Sequence, residues 1–241
     1  MKLEDTAFAH VPQLRDKIRD PQTSRYRNLD YAVLDERARE AGYPPGWRRS
    51  DEEREATRAE MLAGRGGEDL WIFAYGSLMW DPGFYFDEVR VARADGYHRS
   101  FCLELKVGRG SPETPGLMAA LDMGRACDGL AFRIKAEHVE PETNVIWRRE
   151  MIGYGYVPTF VPLETNSGTL EALTFVVDHD SGRYAGDLGV EEAAQMIASA
   201  QGINGTNVEY VENLAAQLKL LGLRDDVFDR LYERITELRG S

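Results

Sequence analysis

The sequence predicts an α+β protein in which a small, strongly curved or closed sheet is flanked by helices. Residues 1–68 are charge-rich and carry helical patterns, and residues 71–178 form short β-rich segments separated by Gly and Pro. Helical spacing returns from residue 190. A curved or closed sheet would protect the edges of such short strands. We therefore predict an N-terminal helical extension over residues 1–68 and one larger domain over residues 69–241.

The N-terminal part contains helical fragments at residues 11–18 and 31–41 and a clearer helix at residues 51–63. Ser50 and Glu53 have the spacing of a capping box at the start of that third helix. The alternating acids and bases of residues 51–60 are typical of a solvated helix face, so we assign them no chemistry.

The central part begins with Trp71, Ile72, Phe73 and Ala74, which are predicted to form a buried strand. Further strands are predicted at residues 89–94, 97–107, 117–121, 129–134, 156–163 and 169–177, with one helix at 141–152. The C-terminal part is predicted to form helices at residues 190–200, 207–221 and 225–238, with a second possible capping box at Thr206 and Glu209.

Composition narrows the classes of function. The 241 residues carry a formal net charge of −12, which argues against binding nucleic acid or an anionic membrane. No apolar run approaches the roughly 20 residues of a membrane-spanning helix, and the N-terminus lacks a signal core, so we expect a cytoplasmic protein. Cys102 and Cys127 are expected to be core residues. The scattered histidines lack metal-ligand spacing, so no metal site is predicted.

Two glycine-rich loops are candidates for ligand binding. In the first, WIFAYGSLMW, Gly76 can adopt a positive φ or admit a ligand close to the backbone, and Ser77 adds a hydroxyl. Taken alone, the tripeptide YGS is explained more readily by an ordinary strand-ending turn, since Gly and Ser are common turn residues. In the second, GRGSPETPG, Arg109 could grip a carboxylate or simply be solvated. Ser77 does not lie in a G-x-S-x-G elbow, which disfavours a serine hydrolase.

Glu150 lies near the end of the predicted helix at residues 141–152, directly before a Gly-Tyr-Gly turn. If it is partly buried, its pKa rises towards neutrality and it can act as a general acid and base. Alternatively, it pairs with Arg148 or Arg149 on a solvated helix end. Tyr184 and Asn207 lie near other glycine-rich turns, where they could close over a small ligand, although capping explains Asn207 equally well.

Six motifs follow one another along residues 70–221: WIFAYGSLMW, GYHRSFCL, GRGSPETPG, GLAFRI, WRREMIGYGY and GTNVEYVENL. In this order and spacing they resemble the ChaC-like γ-glutamylcyclotransferases. The N-terminal extension is similar to that of the longer bacterial members of the family.

This resemblance implies a small β-barrel-like fold and release of 5-oxoproline from a small γ-glutamyl compound, usually glutathione, without a cofactor. It implies that Glu150 is the essential acid and base, and that the loop after the first strand holds the γ-glutamyl group. The substrate-binding residues that it implies are Tyr75, Gly76, Ser77, Leu78, Arg109 and Gly110, with Tyr184 and Asn207 at the rim.

One position departs from the family pattern. Family members commonly carry FGYGSL, whereas this chain has Ala74 in place of the first glycine. If Ala74 lies in the strand, the extra methyl group should be nearly neutral, because no positive φ is needed there.

Two alternatives stay open. The same chemistry could act on γ-glutamyl amino acids or γ-glutamylamines, or the pocket could serve a regulator that binds a γ-glutamyl ligand without catalysis. The sequence does not indicate an oligomeric state.

Overall fold

Five strands close into a barrel in the computed structural model, which describes residues 3–40 and 42–240. The strand order around the barrel is β1-β3-β2-β4-β5, and β5 returns to β1 through a parallel pairing of Ile72 with Leu173. The predicted curved or closed sheet is therefore confirmed. The strands are β1 Leu70–Ala74, β2 Glu88–Leu105, β3 Gly116–Ile134, β4 Tyr156–Thr165 and β5 Gly168–Val177.

The two longest strands correct the prediction of four shorter ones. Residues 89–94 and 97–107 belong to the single strand β2, and residues 117–121 and 129–134 both belong to β3. The register between the two strands shifts between Asp95 and Tyr97, where Gly96 has a φ of 83°. Such a bulge bends a strand without ending it, so the glycine marks curvature of the barrel rather than a turn.

The helices agree with the sequence to within a few residues, apart from the first fragment. They are α1 Tyr31–Glu40, α2 Asp51–Met61, α3 Val139–Glu150, α4 Val190–Ser199, α5 Asn207–Leu221 and α6 Asp226–Gly240, and a small ladder joins β6 Gln201–Gly202 to β7 Gly205–Thr206. Both halves of the capping box between Ser50 and Glu53 are present, which confirms it. At Thr206 one half is present, because its hydroxyl accepts from the Glu209 amide whereas the Glu209 carboxylate pairs with Arg109.

The predicted helix at residues 11–18 is wrong. That stretch contains a 3-10 turn, Pro12–Leu14, and similar turns occupy Asp5–Phe8 and Pro21–Thr23. Val11 has non-helical torsions, φ −144° and ψ 62°, and Pro12 has no N–H to donate. The predicted end of the helix at 31–41 falls on residue 41, which lies outside the described residues.

Two hydrophobic clusters form the core. The smaller cluster includes Phe73, Leu121 and Val161, and its buried members come from the five strands and Tyr75, so we place it inside the barrel. The larger cluster packs helices against the outer face of the sheet, and it also contains Phe8 and Leu14 of the N-terminal part. The N-terminal turns are therefore continuous with the main core.

Both cysteines are buried free thiols in these clusters, as the sequence predicts, and burial raises the pKa of each to about 11. Among residues 3–40 and 42–240, no group of His, Cys, Asp and Glu side chains is arranged to hold a metal ion. In the same part of the chain, no helix has both the length and the apolar character needed to cross a membrane.

Because Leu14 is fully buried in the main cluster, we expect Leu14→Ala to lower the free energy of unfolding by about 2–5 kcal/mol. Urea denaturation of the whole chain measures this loss. Val33→Ala is the control, since Val33 is 46% exposed, and it should change the free energy by no more than about 0.5 kcal/mol. A Leu14→Ala effect as small as that of the control would show that the N-terminal turns do not contribute to the main core.

Candidate active site

The loop after β1 begins where the strand reaches one end of the barrel. Ala74 is the last residue of β1 and pairs with Leu130, so the departure from the family pattern lies in the strand, at a position without positive φ. Ser77–Met79 form a short 3-10 helix with Gly76 as its N-cap. No acceptor in the described residues takes a hydrogen bond from the amides of Gly76, Ser77 or Leu78. These amides are the donors of the loop that remain available to a ligand.

Gly76 lies close to a neighbouring side chain and does not have a positive φ. Its φ is −134°, which other residues can adopt. A Cβ at this position would lie 3.1 Å from the hydroxyl oxygen of Tyr210 on α5. The expectation of a positive φ at Gly76 is therefore wrong, and close approach of a ligand to its backbone stays a prediction.

Arg149 connects the loop to Glu150. Its Nη2 donates to the Ser77 hydroxyl at 2.7 Å, and its Nη1 donates to the carbonyls of Asp81 and Pro82. Its Nε lies 2.9 Å from Oε1 of Glu150, the last residue of α3. The pairing of Glu150 with Arg149 is thus present, but the two side chains are only 5% and 15% exposed, so it is not a solvated helix end.

Opposing effects act on the Glu150 carboxyl. Burial raises its pKa above the ordinary value of 4.5, because a charged carboxylate is poorly solvated there. The positive charge of Arg149 and the contact with its guanidinium oppose that shift, and burial is the larger effect. A carboxyl with a raised pKa exchanges protons more readily near neutral pH than an exposed glutamate does.

Three buried tyrosines surround this carboxyl. Tyr75 donates from its hydroxyl to the Phe175 carbonyl at 2.6 Å, and Tyr156 donates to the Ala119 carbonyl at 3.0 Å. Burial raises the pKa of Tyr75, Tyr156 and Tyr210, and the negative charge of Glu150 raises each further. The three phenols are therefore neutral at physiological pH.

Arg99 on β2 supports the loop from the other side. It is 1% exposed, and its Nε donates to the Tyr75 carbonyl at 2.7 Å while its Nη2 donates to the Asp128 carbonyl at 2.8 Å. Its Nη1 pairs with Asp225, directly before α6. The carbonyl that precedes Gly76 is thereby fixed to β3 and to the C-terminal part.

Comparison with known proteins identifies the family. The model of the ChaC-like protein family matches residues 70–238. The chain belongs to the ChaC-like family. It is 40% identical over 191 residues to a glutathione-specific gamma-glutamylcyclotransferase of Escherichia coli K12, covering 78% of this chain and 83% of that protein. It is 33% identical over 166 residues to a glutathione-specific gamma-glutamylcyclotransferase 1 of Danio rerio, covering 67% of this chain and 84% of that protein.

A solved structure has the same fold as this ChaC-like chain. A gamma-glutamyl cyclotransferase specific to glutathione from yeast aligns with a TM-score of 0.64 and 22% identity, covering 71% of this chain and all of that one. At that identity the likeness concerns the fold alone.

The other predicted residues of the ChaC-like chain have contacts of their own in the structure. Arg109 donates from Nη1 to the Thr206 carbonyl at 2.6 Å and pairs with Glu209 at 2.7 Å, so its guanidinium is attached to the start of α5. Gly110 allows close backbone packing, since a Cβ there would lie 2.1 Å from the Leu105 carbonyl oxygen. Arg109 therefore holds the second glycine-rich loop against α5, which also carries Tyr210, and Gly110 lets the two ends of that loop pack closely.

Asn207 and Tyr184 have partners that account for their positions. The Asn207 side chain is fully buried and bonds both backbone groups of Leu117, at 2.6 and 2.9 Å. Tyr184 stacks on His179 with ring centres 4.5 Å apart, and His179 contacts Asp122 at 2.9 Å. These contacts do not indicate that Asn207 or Tyr184 binds substrate, and that role stays a prediction.

Several residues of the site were missed by sequence reasoning. Tyr156, Tyr210 and Arg99 lie within the motifs WRREMIGYGY, GTNVEYVENL and GYHRSFCL, so these motifs contained the signal. Arg183, directly before Tyr184, is half-buried; desolvation lowers the pKa of its guanidinium, and the nearby Tyr156 opposes that shift. Nothing in the sequence distinguishes it from its neighbours.

A wide cleft elsewhere in the molecule contains none of the predicted site residues. It lies between the β2–β3 hairpin and the start of α6, and basic and acidic side chains alternate along it, including Arg93, Arg125, Asp226, Arg230 and Glu233. Arg99 and Asp225 form part of its wall and connect it to the Tyr75 carbonyl.

We expect Arg149→Met to raise the pKa of Glu150, because burial would then act without the opposing positive charge. A pH titration of the side-chain carboxyl by carbon-13 NMR measures this, with the resonance assigned by its loss in Glu150→Gln. Arg149→Lys, which keeps a positive charge, should raise the pKa less. A Glu150 pKa at or below 4.5 in the unaltered protein would contradict the burial argument.

Proposed function

We propose that this protein cleaves glutathione to 5-oxoproline and Cys-Gly, with Glu150 as general base and then general acid. The observation that supports this most directly is the largely buried Glu150, paired with Arg149, which also donates to the Ser77 hydroxyl of the loop. The names of the E. coli and Danio rerio relatives agree with this substrate.

The reaction is an intramolecular acyl transfer. The substrate's own α-amine attacks the γ-glutamyl carbonyl, a C–N bond closes the five-membered lactam, and the C–N bond to cysteine breaks. No nucleophile from the protein is required, so Ser77 has no covalent role. The main task is to hold the flexible γ-glutamyl chain with amine and carbonyl in contact, and such positioning can supply about 7–11 kcal/mol of the barrier.

In our proposal the loop of Tyr75, Gly76, Ser77 and Leu78 performs this positioning. The amides of Gly76, Ser77 and Leu78 are free to bind the α-carboxylate or the oxyanion that forms at the γ-carbonyl. Tyr75 fixes the loop to β5 through its hydroxyl, and Arg99 fixes it to β3. A preorganised set of donors stabilises developing charge because it need not reorient during the reaction.

Glu150 moves the proton. The α-ammonium group is not nucleophilic, so a base must first remove a proton from it, and the departing cysteine amine must later receive one. A carboxyl whose pKa is raised by burial can serve both steps, since its two protonation states are closer in free energy near neutral pH. The neutral tyrosines around it do not compete for that proton, because the pKa of each is raised.

We further propose that the protein works in the cytoplasm, as a domain over residues 69–241 completed by the N-terminal extension of residues 1–68. The two free, buried cysteines are consistent with a reducing compartment. The proposal requires only the small-molecule substrate as a partner.

We expect Glu150→Gln to lower 5-oxoproline release from glutathione by about 10²- to 10⁴-fold, because the amide cannot accept the proton. Chromatographic measurement of 5-oxoproline and Cys-Gly gives the rate, and circular dichroism checks the fold. A substrate panel with γ-glutamyl amino acids and γ-glutamylamines would show whether the same chemistry prefers another leaving group. Near-normal turnover by the variant would exclude Glu150 as the proton carrier, and ligand binding without any product from the unaltered protein would indicate a regulator.

We expect Ser77→Ala to lower turnover by no more than about 10- to 150-fold, since it removes one hydroxyl acceptor from the charged guanidinium of Arg149, a bond worth about 1.5–3 kcal/mol. The same product assay measures this, with Glu150→Gln beside it. A Ser77→Ala loss as large as that of Glu150→Gln would contradict a mechanism without a protein nucleophile.

A further inference from the structure

One segment of the N-terminal extension that reaches the active site is Ser24–Arg27, which lies outside the matched family region at residues 70–238. Arg27 forms two hydrogen bonds with the Glu142 carboxylate, at 2.7 and 2.9 Å. Glu142 lies on α3, about two helical turns before Glu150, and its side chain is 2% exposed. This buried ion pair fixes the segment against the helix that carries Glu150.

Tyr26 packs directly on the connection between the loop and Glu150. Its ring centre lies 3.9 Å from the guanidinium carbon of Arg149, the group that bonds Ser77 and Glu150. A Cβ on Gly83 would lie 3.4 Å from the Tyr26 Cβ, so the segment also packs on the chain that follows the loop. Tyr26 is therefore part of the wall around the site.

Arg25 reaches from Tyr26 to Asn204, which contacts the second glycine-rich loop. Its guanidinium carbon lies 4.9 Å from the centre of the Tyr26 ring, and its Nη2 donates to the Tyr26 hydroxyl at 3.0 Å. Its Nη1 donates to Asn204 at 3.3 Å, and the Asn204 amide donates to the Gly108 carbonyl at 2.7 Å. Arg25 thus spans the space between the extension and the second glycine-rich loop.

Arg25 is exposed and forms no ion pair with a carboxylate of residues 3–40 or 42–240. Its neighbours differ, because Arg27 is paired with Glu142, Arg109 with Glu209 and Arg149 with Glu150. In a chain with a net charge of −12, an unpaired guanidinium beside the site favours an anionic group of the substrate.

The distances fit the leaving dipeptide. The guanidinium carbons of Arg25 and Arg149 lie 4.9 and 3.9 Å from the centre of the Tyr26 ring. The two carbons are therefore separated by no more than the sum of these distances. Two extended residues span about 7 Å, which is the reach from the γ-glutamyl carbonyl to the glycine carboxylate. If the γ-glutamyl carbonyl lies beside Arg149 and Glu150, a dipeptide of this length is long enough to bring its carboxylate to Arg25.

We propose, on the basis of the proposed function, that Arg25 is a specificity-determining residue that binds the terminal carboxylate of the leaving Cys-Gly, held in place by Tyr26 and Asn204. Substrate choice between glutathione and shorter or uncharged γ-glutamyl compounds is then set partly by the N-terminal extension.

The test compares glutathione with its glycine carboxamide, which has the same length but lacks the terminal charge. Arg25→Ala should lower kcat/KM for glutathione by about 10- to 100-fold, mainly through a higher KM, and leave the carboxamide nearly unchanged. Arg25→Lys should restore part of the loss, since it keeps the charge without the planar fork. Arg37→Ala, an exposed arginine on α1, is the matched control and should behave as the unaltered protein with both substrates.

Each outcome decides between the two proposals. If the unaltered protein releases 5-oxoproline and Arg25→Ala changes glutathione and its carboxamide equally, this inference is overturned and the proposed function stands. If the unaltered protein releases none from either compound, the proposed function fails and the inference fails with it. Thermal unfolding of each variant separates a loss of binding from a loss of fold.

Discussion

The buried guanidinium of Arg149 is the interaction on which the site depends. It bonds the Ser77 hydroxyl and the carbonyls of Asp81 and Pro82, and it pairs with Glu150. A buried charge is costly unless all its donors are satisfied, so these acceptors cannot move independently. One side chain therefore fixes the loop after β1 relative to the end of α3. The positions of the substrate-binding amides and of the proton carrier follow from the same set of bonds.

The same guanidinium adjusts the chemistry of Glu150. Burial alone would hold the carboxyl protonated, and a fully compensated ion pair would hold it ionised. Here burial is the larger of the two, so the pKa is raised while the carboxylate remains attainable. The surrounding phenols of Tyr75, Tyr156 and Tyr210 stay neutral, because burial raises the pKa of each. A carboxyl in this balance can accept a proton and return it within one reaction.

Local patterns predicted the elements, and they could not predict the contacts between them. Short-range spacing predicted the strand before Tyr75, the helix that ends near Glu150 and the cap at Ser50. The stacking of Tyr26 on Arg149 joins residues far apart in sequence, and no periodicity marks either of them. We predicted two strands where the structure has the single strand β2, because a glycine such as Gly96 is typical of a turn. In the structure, β2 pairs with β3 on both sides of this glycine, and a bulge keeps the ladder continuous.

The buried ion pair between Arg27 and Glu142 indicates that the N-terminal extension packs as part of the same folded unit as α3. Glu142 also accepts from the Tyr85 amide at 2.8 Å, so the carboxylate is built into α3 and the chain after the loop. Without Arg27, a carboxylate that is 2% exposed would lose its only ion-pair partner among the described residues. Removing one partner of such a pair costs about 3–5 kcal/mol, a large share of the stability of a typical domain. The boundary near residue 68 therefore marks a change in sequence pattern. It does not separate two independent units, because Glu142 on α3 needs Arg27, from the other side of that boundary, to balance its charge.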